Sequence, residues 1–506
     1  MHKPLFLLLF NCCLLYHVAV SSDALGKSSP HGKQQDPVEV HWYNTKDSLF
    51  ELRTLGQLRG FAELVNSGID FHQQELRLAN DIFLNDTTGW AHWEKSPPDG
   101  HEQWIPIGQE DKPFCGTFDG QGHTIYGLYI NRGMESYYQG LFGLVLDGRI
   151  RNVQVKASFI KAHDHVGGIA GMIGYTSEIR GCTFEGRIIG MGHMVGGIAG
   201  KAEEYNRIID CGNWGDIQGQ RRVGGIAGSF MRGAFYNCFN RGEINGRQER
   251  VGGLVGALLD GSLYDTRRLE EGYELAEGIA REVDKRRGSV RGLRDTFANN
   301  YNAGKISGED MVGGIAGSFF DFLADVNDTT NRETIQIPGE AGTEQDLPDL
   351  TGITDSLTLM FGSATRRGAY FANCYNVGEI SSLYPIYTDG LIGHYGWRWR
   401  AAVYLLDQRG EHCYWSDSSA TIVKLETWRL PRIMRSFDTR DQKEIYVIRP
   451  PKVFEEVPDS TMQSETFSAK LNEWADKHGL PFKRWRMDRE NANSGYPVFD
   501  REGGRP

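Results

Sequence analysis

The sequence predicts an all-β solenoid, a right-handed parallel β-helix with helical caps and long insertions leaving from one corner. Three observations predict it. The first is a recurring phrase: Gly-Leu-Phe-Gly at Gly140, Gly-Ile-Ala-Gly at Gly168, Gly197, Gly225 and Gly314, Gly-Leu-Val-Gly at Gly253 and Gly-Leu-Ile-Gly at Gly390. Its first five starts lie 28, 29, 28 and 28 residues apart. A fixed period of this size marks units that bury their apolar sides only against their neighbours. The second is local pattern. Short apolar alternations such as Arg151-Asn152-Val153-Gln154-Val155 are broken by glycine, and helical spacing is absent between Cys115 and Tyr264, so the coils are made of strands. The third is a ladder. Cys182, Cys211, Cys238, Cys374 and Cys413 fall at matching points of successive units, with Asn300 in the same slot.

Such a unit suits three short strands and three turns. A leucine-rich horseshoe would need Leu-x-x-Leu-x-Leu, which is missing. The paired glycines (Gly167-Gly168, Gly196-Gly197, Gly224-Gly225) belong at tight corners, where a positive φ or close backbone approach excludes a Cβ. Stacked rungs lie about 4.8 Å apart, so the cysteines form an inward column of small buried hydrophobes. A disulfide wants Cβ atoms about 3.5–4.5 Å apart, which stacked parallel side chains do not give.

Gly-Leu-x-Gly units followed by Asn-Cys-x-Asn-x-Gly-x-Ile (Asn237 to Ile244, Asn373 to Ile380) resemble the GLUG-motif family of secreted bacterial β-helix proteins. The stretch from Phe114 to Ile125 resembles the first full rung of such proteins. The resemblance covers most of the chain after its leader and implies fold and secretion. It leaves activity open, because such repeats occur in adhesins, beside peptidases and in proteins of glycan-degrading bacteria.

Taken in order, residues 1–22 read as a secretory signal, with Lys3, an apolar core from Leu5 to Leu15 and a small-residue site at Val20-Ser21-Ser22. Residues 23–46 are a polar leader. Residues 47–113 hold the N-terminal cap and first strands. A helical stripe runs from Asp47 to Asn66, and Leu76, Leu78, Ile82 and Leu84 alternate as the first strand. The β-helix spans 114–420, with insertions at 261–298, 322–370 and 394–412. Residues 421–506 supply the last strands and a cap, with a helix from Ser464 to Lys477 and an edge strand at Tyr496-Pro497-Val498-Phe499. Helices placed over open ends shield core and unpaired strand edges. No segment beyond the signal is apolar enough to cross a membrane.

The insertions all follow the glycine phrase, and long loops on one side of a solenoid are where binding concentrates. Counting along each unit gives a further ladder at the last residue before the variable corner: Asp147, Tyr175, Glu204, Arg232, Asp260, Asp321 and Trp397. Asp260 and Asp321 belong to adjacent rungs. Two stacked carboxylates cannot both ionise freely, so one pKa rises, which suits the acid and base or nucleophile of a glycosidase. They are the candidate catalytic pair. Arg232 and Glu204 on one side, and Arg366, Arg367, His394, Tyr395, Trp397 and Trp399 on the other, are the candidate glycan contacts. The tryptophans would stack on sugar rings, and the arginines would hold acidic substituents.

The same pair would also suit Ca²⁺, but no cofactor is required. His163, Asp164, His165 and His193 form a smaller cluster in which His163 and His165 share a face and Asp164 points away; no metal set is assigned to it. The formal charge of −11 argues against nucleic acid, which wants a basic face. Phosphate loops, nucleophile elbows and His-Glu-x-x-His are missing. The resulting expectation is a secreted, periplasmic or cell-surface protein that cleaves a complex polysaccharide, acidic or neutral, as a glycoside hydrolase or lyase. The alternative is a non-catalytic glycan-binding or adhesive protein. Oligomeric state is not legible.

Overall fold

The computed structural model describes residues 37–96, 100–259, 296–319, 370–382, 388–394, 411–419, 454–479, 481–491 and 493–500. The chain divides into two compact units, Met1–Pro37 and Val38–Pro506; the solenoid lies in the second. The signal and most of the leader fall outside the described residues.

The fold is a parallel β-helix of three faces. Among the described residues these are sheets of fourteen, fifteen and seven strands. One unit shows the plan. Strand Ala199–Ile209 lies on the first face, Gly212–Asn213 and Asp216–Gly219 on the second, and Arg221–Gly224 on the third. Each pairs in parallel with its counterpart a unit later: Ala199 with Ala227, Ile217 with Ile244, Val223 with Val251. Among the described residues no helix is long and apolar enough to cross a membrane.

The glycine phrase is explained by close approach. A Cβ on Gly197 would lie 2.3 Å from the Gly225 carbonyl oxygen and 2.5 Å from Asn213 Oδ1. One on Gly200 would lie 2.5 Å from the backbone of His165 and Val166. The paired glycines do not have left-handed φ, so of the two expected reasons contact is the operative one. Where the first and third faces meet, the backbone passes too close to the glycine positions for a Cβ, while Ile169, Ile198 and Ile226 fill the core beside them.

Inside, Cys182, Cys211, Cys238, Cys374 and Cys413 are fully buried free thiols. The Cys211 thiol donates to the Ile179 carbonyl of the preceding rung at 3.6 Å, and Asn300 accepts from the Cys238 N–H at 2.8 Å in the same column. Beside them runs an asparagine column, Asn213, Asn240, Asn302 and Asn376, each amide donating to the next side-chain oxygen at 2.7–2.8 Å. Repetition turns a buried polar group, costly when alone, into one whose partner is the same residue a rung later.

The expected helix from Asp47 splits in two. Leu49–Leu52 is a strand, pairing with Glu75–Leu78, and helix α1 is Leu55–Asn66, capped by the Thr54 hydroxyl accepting from the Gln57 N–H at 3.1 Å. The leucine spacing fitted both periods; the Thr54 cap decides where the helix starts. Leu76 and Leu78 therefore sit in the second strand, not the first. Helix α1 covers the N-terminal end of the core, with Phe61 packed on Phe118 at 5.9 Å and on Phe142 at 6.2 Å.

At the other end Phe454–Val457 adds a strand beside Cys413–Ser416. Helices α2 (Asp459–Met462) and α3 (Glu465–His478) follow, the latter capped by Ser464. This helical cap lies along the flank of the stack. Asn237, Asn299 and Asn373, in successive rungs, donate to the carbonyls of Pro481, Lys483 and Leu471 at 2.9, 3.0 and 3.2 Å. Trp485 and Phe499, in a small antiparallel pair, pack on the stacked rings of Tyr301 and Tyr375.

The variable point of each unit falls within the first face. Ala199–Ile209 and Ala227–Tyr236 run straight through it, with a register shift between Glu203 and Asn206. Val255–Leu259 and Thr296–Ala298 continue those two halves separately, as do Ala316–Phe319 and Tyr370–Ala372. The long intervening segments thus depart from and rejoin one face.

Candidate functional site

The ladder at that point can be followed in register. Leu146 pairs with Gly174, Gly174 with Glu203, Glu203 with Met231, Met231 with Leu259, Leu258 with Phe319 and Ser318 with His394. Asp147 and Tyr175, at the first two positions, both take left-handed φ near 50°, and the Thr176 hydroxyl donates to Asp147 Oδ1 at 2.9 Å. The backbone of Glu204 and Arg232 lies in the continuous strands, and that of His394 in the strand Ile392–His394; their side chains are outside what is described. Asp260, Asp321, Arg366, Arg367, Tyr395, Trp397 and Trp399 lie outside the described residues.

One side of this ladder is bounded by the third face, whose outer column reads Tyr137, Asp164, His193, Arg221, Glu249 and Asp310. The next residue in each of these strands (Tyr138, His165, Met194, Arg222, Arg250, Met311) has φ between 53° and 67°. His163 lies at the bend between the strands Gln154–Ala162 and Asp164–Gly167, so strand alternation does not run through it, which corrects the expectation that Asp164 points away from its histidines. His163 Nδ1 stands 3.6 Å from Asp164 Oδ2, and Asp164 also accepts from the His193 N–H. The Tyr137 ring meets His163 at 5.7 Å and the Tyr138 ring meets His165 at 5.0 Å. Burial, helped by the Lys201 charge, lowers the His165 pKa to about 4. Burial also lowers that of His193 and raises the Asp310 carboxyl to about 6. Glu249 is held by Arg221 and stands 3.6 Å from Arg250. Among the described residues no three His, Cys, Asp or Glu side chains converge as a metal site needs.

The other side of the ladder carries a cluster that the sequence reading did not single out. Glu178, its side chain 6% exposed, is approached by Arg151 Nε at 3.1 Å, Arg180 Nε at 3.3 Å and Arg207 Nε at 3.4 Å. Burial alone would raise its carboxyl, but the Arg180 hydrogen bond and the charges of Arg180, Arg207 and Arg151 hold it below the usual range. The signal was available: these residues occupy outward positions of the same repeat, three to five residues past the ladder.

No protein-family model matches the chain. Among curated proteins, 177 residues (35% of the chain) are 27% identical to halomucin of Haloquadratum walsbyi, and the match spans 2% of that protein's length. Among solved structures, the chain is similar to a Bacteroides ovatus protein provisionally named an immunoglobulin A1 protease. The TM-score is 0.43 and the identity 17%, over 89% of this chain and 91% of the other.

Proposed function

We propose that this is an extracellular protein that processes a complex polysaccharide, held against the first face where the long segments depart. The observation that carries this reading is the register. Leu258 pairs with Phe319, and Asp260 and Asp321 follow those residues by the same two steps. Were the same register to continue through them, their carboxylates would stand about 4.8 Å apart and repel, so that one would hold its proton more tightly than the other. A glycosidic bond beside them meets one acid and one base or nucleophile; about 5–5.5 Å between the carboxyls suits retention of configuration. Glu204 and Arg232 would flank the pair, with Arg366, Arg367, His394, Tyr395, Trp397 and Trp399 supplying glycan contacts. The signal-like residues 1–22 support export.

The test is turnover of a polysaccharide panel, read as new reducing ends and as absorbance from unsaturated products. Asp260→Asn and Asp321→Asn should each lower turnover by about 10²–10⁴-fold, the usual weight of a general acid or base. Full turnover in both variants removes the pair. A second reading, glycan binding without cleavage, is favoured by the third face, whose carboxylates Asp164 and Glu249 are both engaged by neighbours. It predicts retention on immobilised glycan with no new reducing ends.

A further inference from the structure

We propose that the early rungs carry a cationic track for acidic polysaccharide, running along the solenoid axis toward the rungs from which the long segments depart. The proposal rests on the glycan reading above and names the chemical class of the glycan.

The track is built from two outer columns of the first face. Arg149, Glu178 and Arg207 pair in consecutive strands, and so do Arg151 and Arg180. A single carboxylate, Glu178, is shared by three guanidiniums, each of which brings five N–H donors. Arg180 also reaches Asp210 at 3.4 Å, but Lys483 claims the same carboxylate at 3.3 Å. Arg149 is exposed, and its guanidinium has no ion-pair partner among the described residues. Asp119 pairs in register with Arg151, yet its carboxylate is turned to the Gln121 N–H at 2.9 Å and the Asn152 amide at 3.1 Å. Four arginines and a lysine therefore face three carboxylates, Glu178, Asp210 and the amide-bound Asp119, on a chain whose overall charge is −11.

Saturation of Glu178 does not explain the cluster, since two arginines would suffice. Arg207 approaches it without hydrogen-bond geometry, and its buried Nε–H has no acceptor. The side chains of Arg151, Arg180 and Arg207 remain 30–37% exposed, so all three stand open to solvent on adjacent strands. The strand spacing, about 4.8 Å, is comparable with the length of one sugar residue. A chain with a carboxylate or sulfate on successive or alternate sugars can thus meet one guanidinium after another in bidentate fashion. The C-terminal segment covers the apolar continuation of the same column, where Phe482 packs on Tyr236, and it reaches the charged part only at the Lys483–Asp210 pair.

The experiment measures binding of fluorescent oligogalacturonate, a sulfated oligosaccharide, a neutral oligosaccharide and duplex DNA to the full chain, at low and at raised salt. The variant is Arg149→Gln combined with Arg207→Gln, which leaves Arg151 and Arg180 on Glu178; thermal unfolding checks its fold. Acidic oligosaccharide binding should weaken by about 10–100-fold, as the loss of charge-assisted contacts implies, and should depend less steeply on salt, with neutral glycan unaffected. Preference for oligogalacturonate or for the sulfated ligand identifies the anionic group. Unchanged acidic binding in the folded variant overturns the track and leaves the Asp260 and Asp321 reading standing. Tighter DNA binding, lost in the same variant, overturns it in favour of nucleic acid. If the wild-type chain binds no acidic oligosaccharide the track falls alone, and if it neither binds nor cleaves any glycan both readings fall.

Discussion

One outer column of the first face changes character along its length. It reads Arg151 and Arg180 in the early rungs, then Ile209, Tyr236, Ala298 and Ala372 in the later ones. The later part is covered: Phe482 lies on Tyr236, and Trp474 lies on Ala298 and Ala372. On the adjoining second face the stacked rings of Phe239, Tyr301 and Tyr375, 5.2–5.3 Å apart, are covered in the same way by Trp485 and Phe499. A solenoid repeats whatever its rung presents. An apolar position becomes a stripe that must be roofed, because exposed apolar area of that extent invites association. A charged position becomes a comb that water can solvate or a polyanion can occupy.

Breaking the roof should have the largest effect. Trp485, 2% exposed, packs on Tyr301 and Tyr375, and its indole N–H donates to Asn299 Oδ1 at 2.8 Å. Trp485→Ala should cost about 3–5 kcal/mol by denaturant unfolding and should expose dye-binding apolar surface; a loss under 1 kcal/mol would mean the segment is not a roof. Next comes the inner polar column, in which Asn213, Asn240 and Asn302 each donate to the next asparagine. Asn302→Ala leaves Asn240 Nδ2 and Asn376 Oδ1 each short of a partner, for about 1–3 kcal/mol. A neutral result would show that the column contributes nothing.

The smallest effect is in pH. His165 faces Lys201, Asp164, Arg222 and His193, and its pKa falls from 6.5 to about 4 on folding. The unfolded chain binds the extra proton between those values, so stability falls as pH drops from about 6.5 toward 4. His165→Phe should flatten that fall by at most about 3 kcal/mol, the linkage limit for such a shift. Asp310 acts in the opposite sense. Its carboxyl rises from 3.8 to about 6, so its share of stability is lost as pH climbs through that interval. Asp310→Asn should remove that loss and so steepen the net rise of stability between about pH 4 and 6, leaving His165 to dominate.

How much of this was readable follows from what a repeat encodes. The three-faced stack, the thiol column and the boundaries of α3 were legible, because period and capping residues specify them locally. The flank position of α3 was not. It depends on Asn237, Asn299 and Asn373 facing outward, whereas Asn240, Asn302 and Asn376, three residues on in each unit, face inward. The left-handed φ of 49–56° at the outward set makes the difference, and composition does not display it. The Asp260 and Asp321 ladder came from counting residues, and the strands up to Leu259 and Phe319 keep the count. The arginine track was passed over because ladders were sought at the glycine phase, not at outward strand positions. The His163–Asp164 contact was misread because alternation was assumed across the bend at His163, where one strand ends and the next begins.

The roof also has a timing consequence. A ribosome delivers Phe239 and Tyr301 well before Trp485, so a nascent rod must wait with sticky rings bare until distal residues arrive to cover them. Any delay at that stage, or a cut that frees the covering segment, would leave an apolar stripe open to self-association while the stacked strands beneath it stay in place.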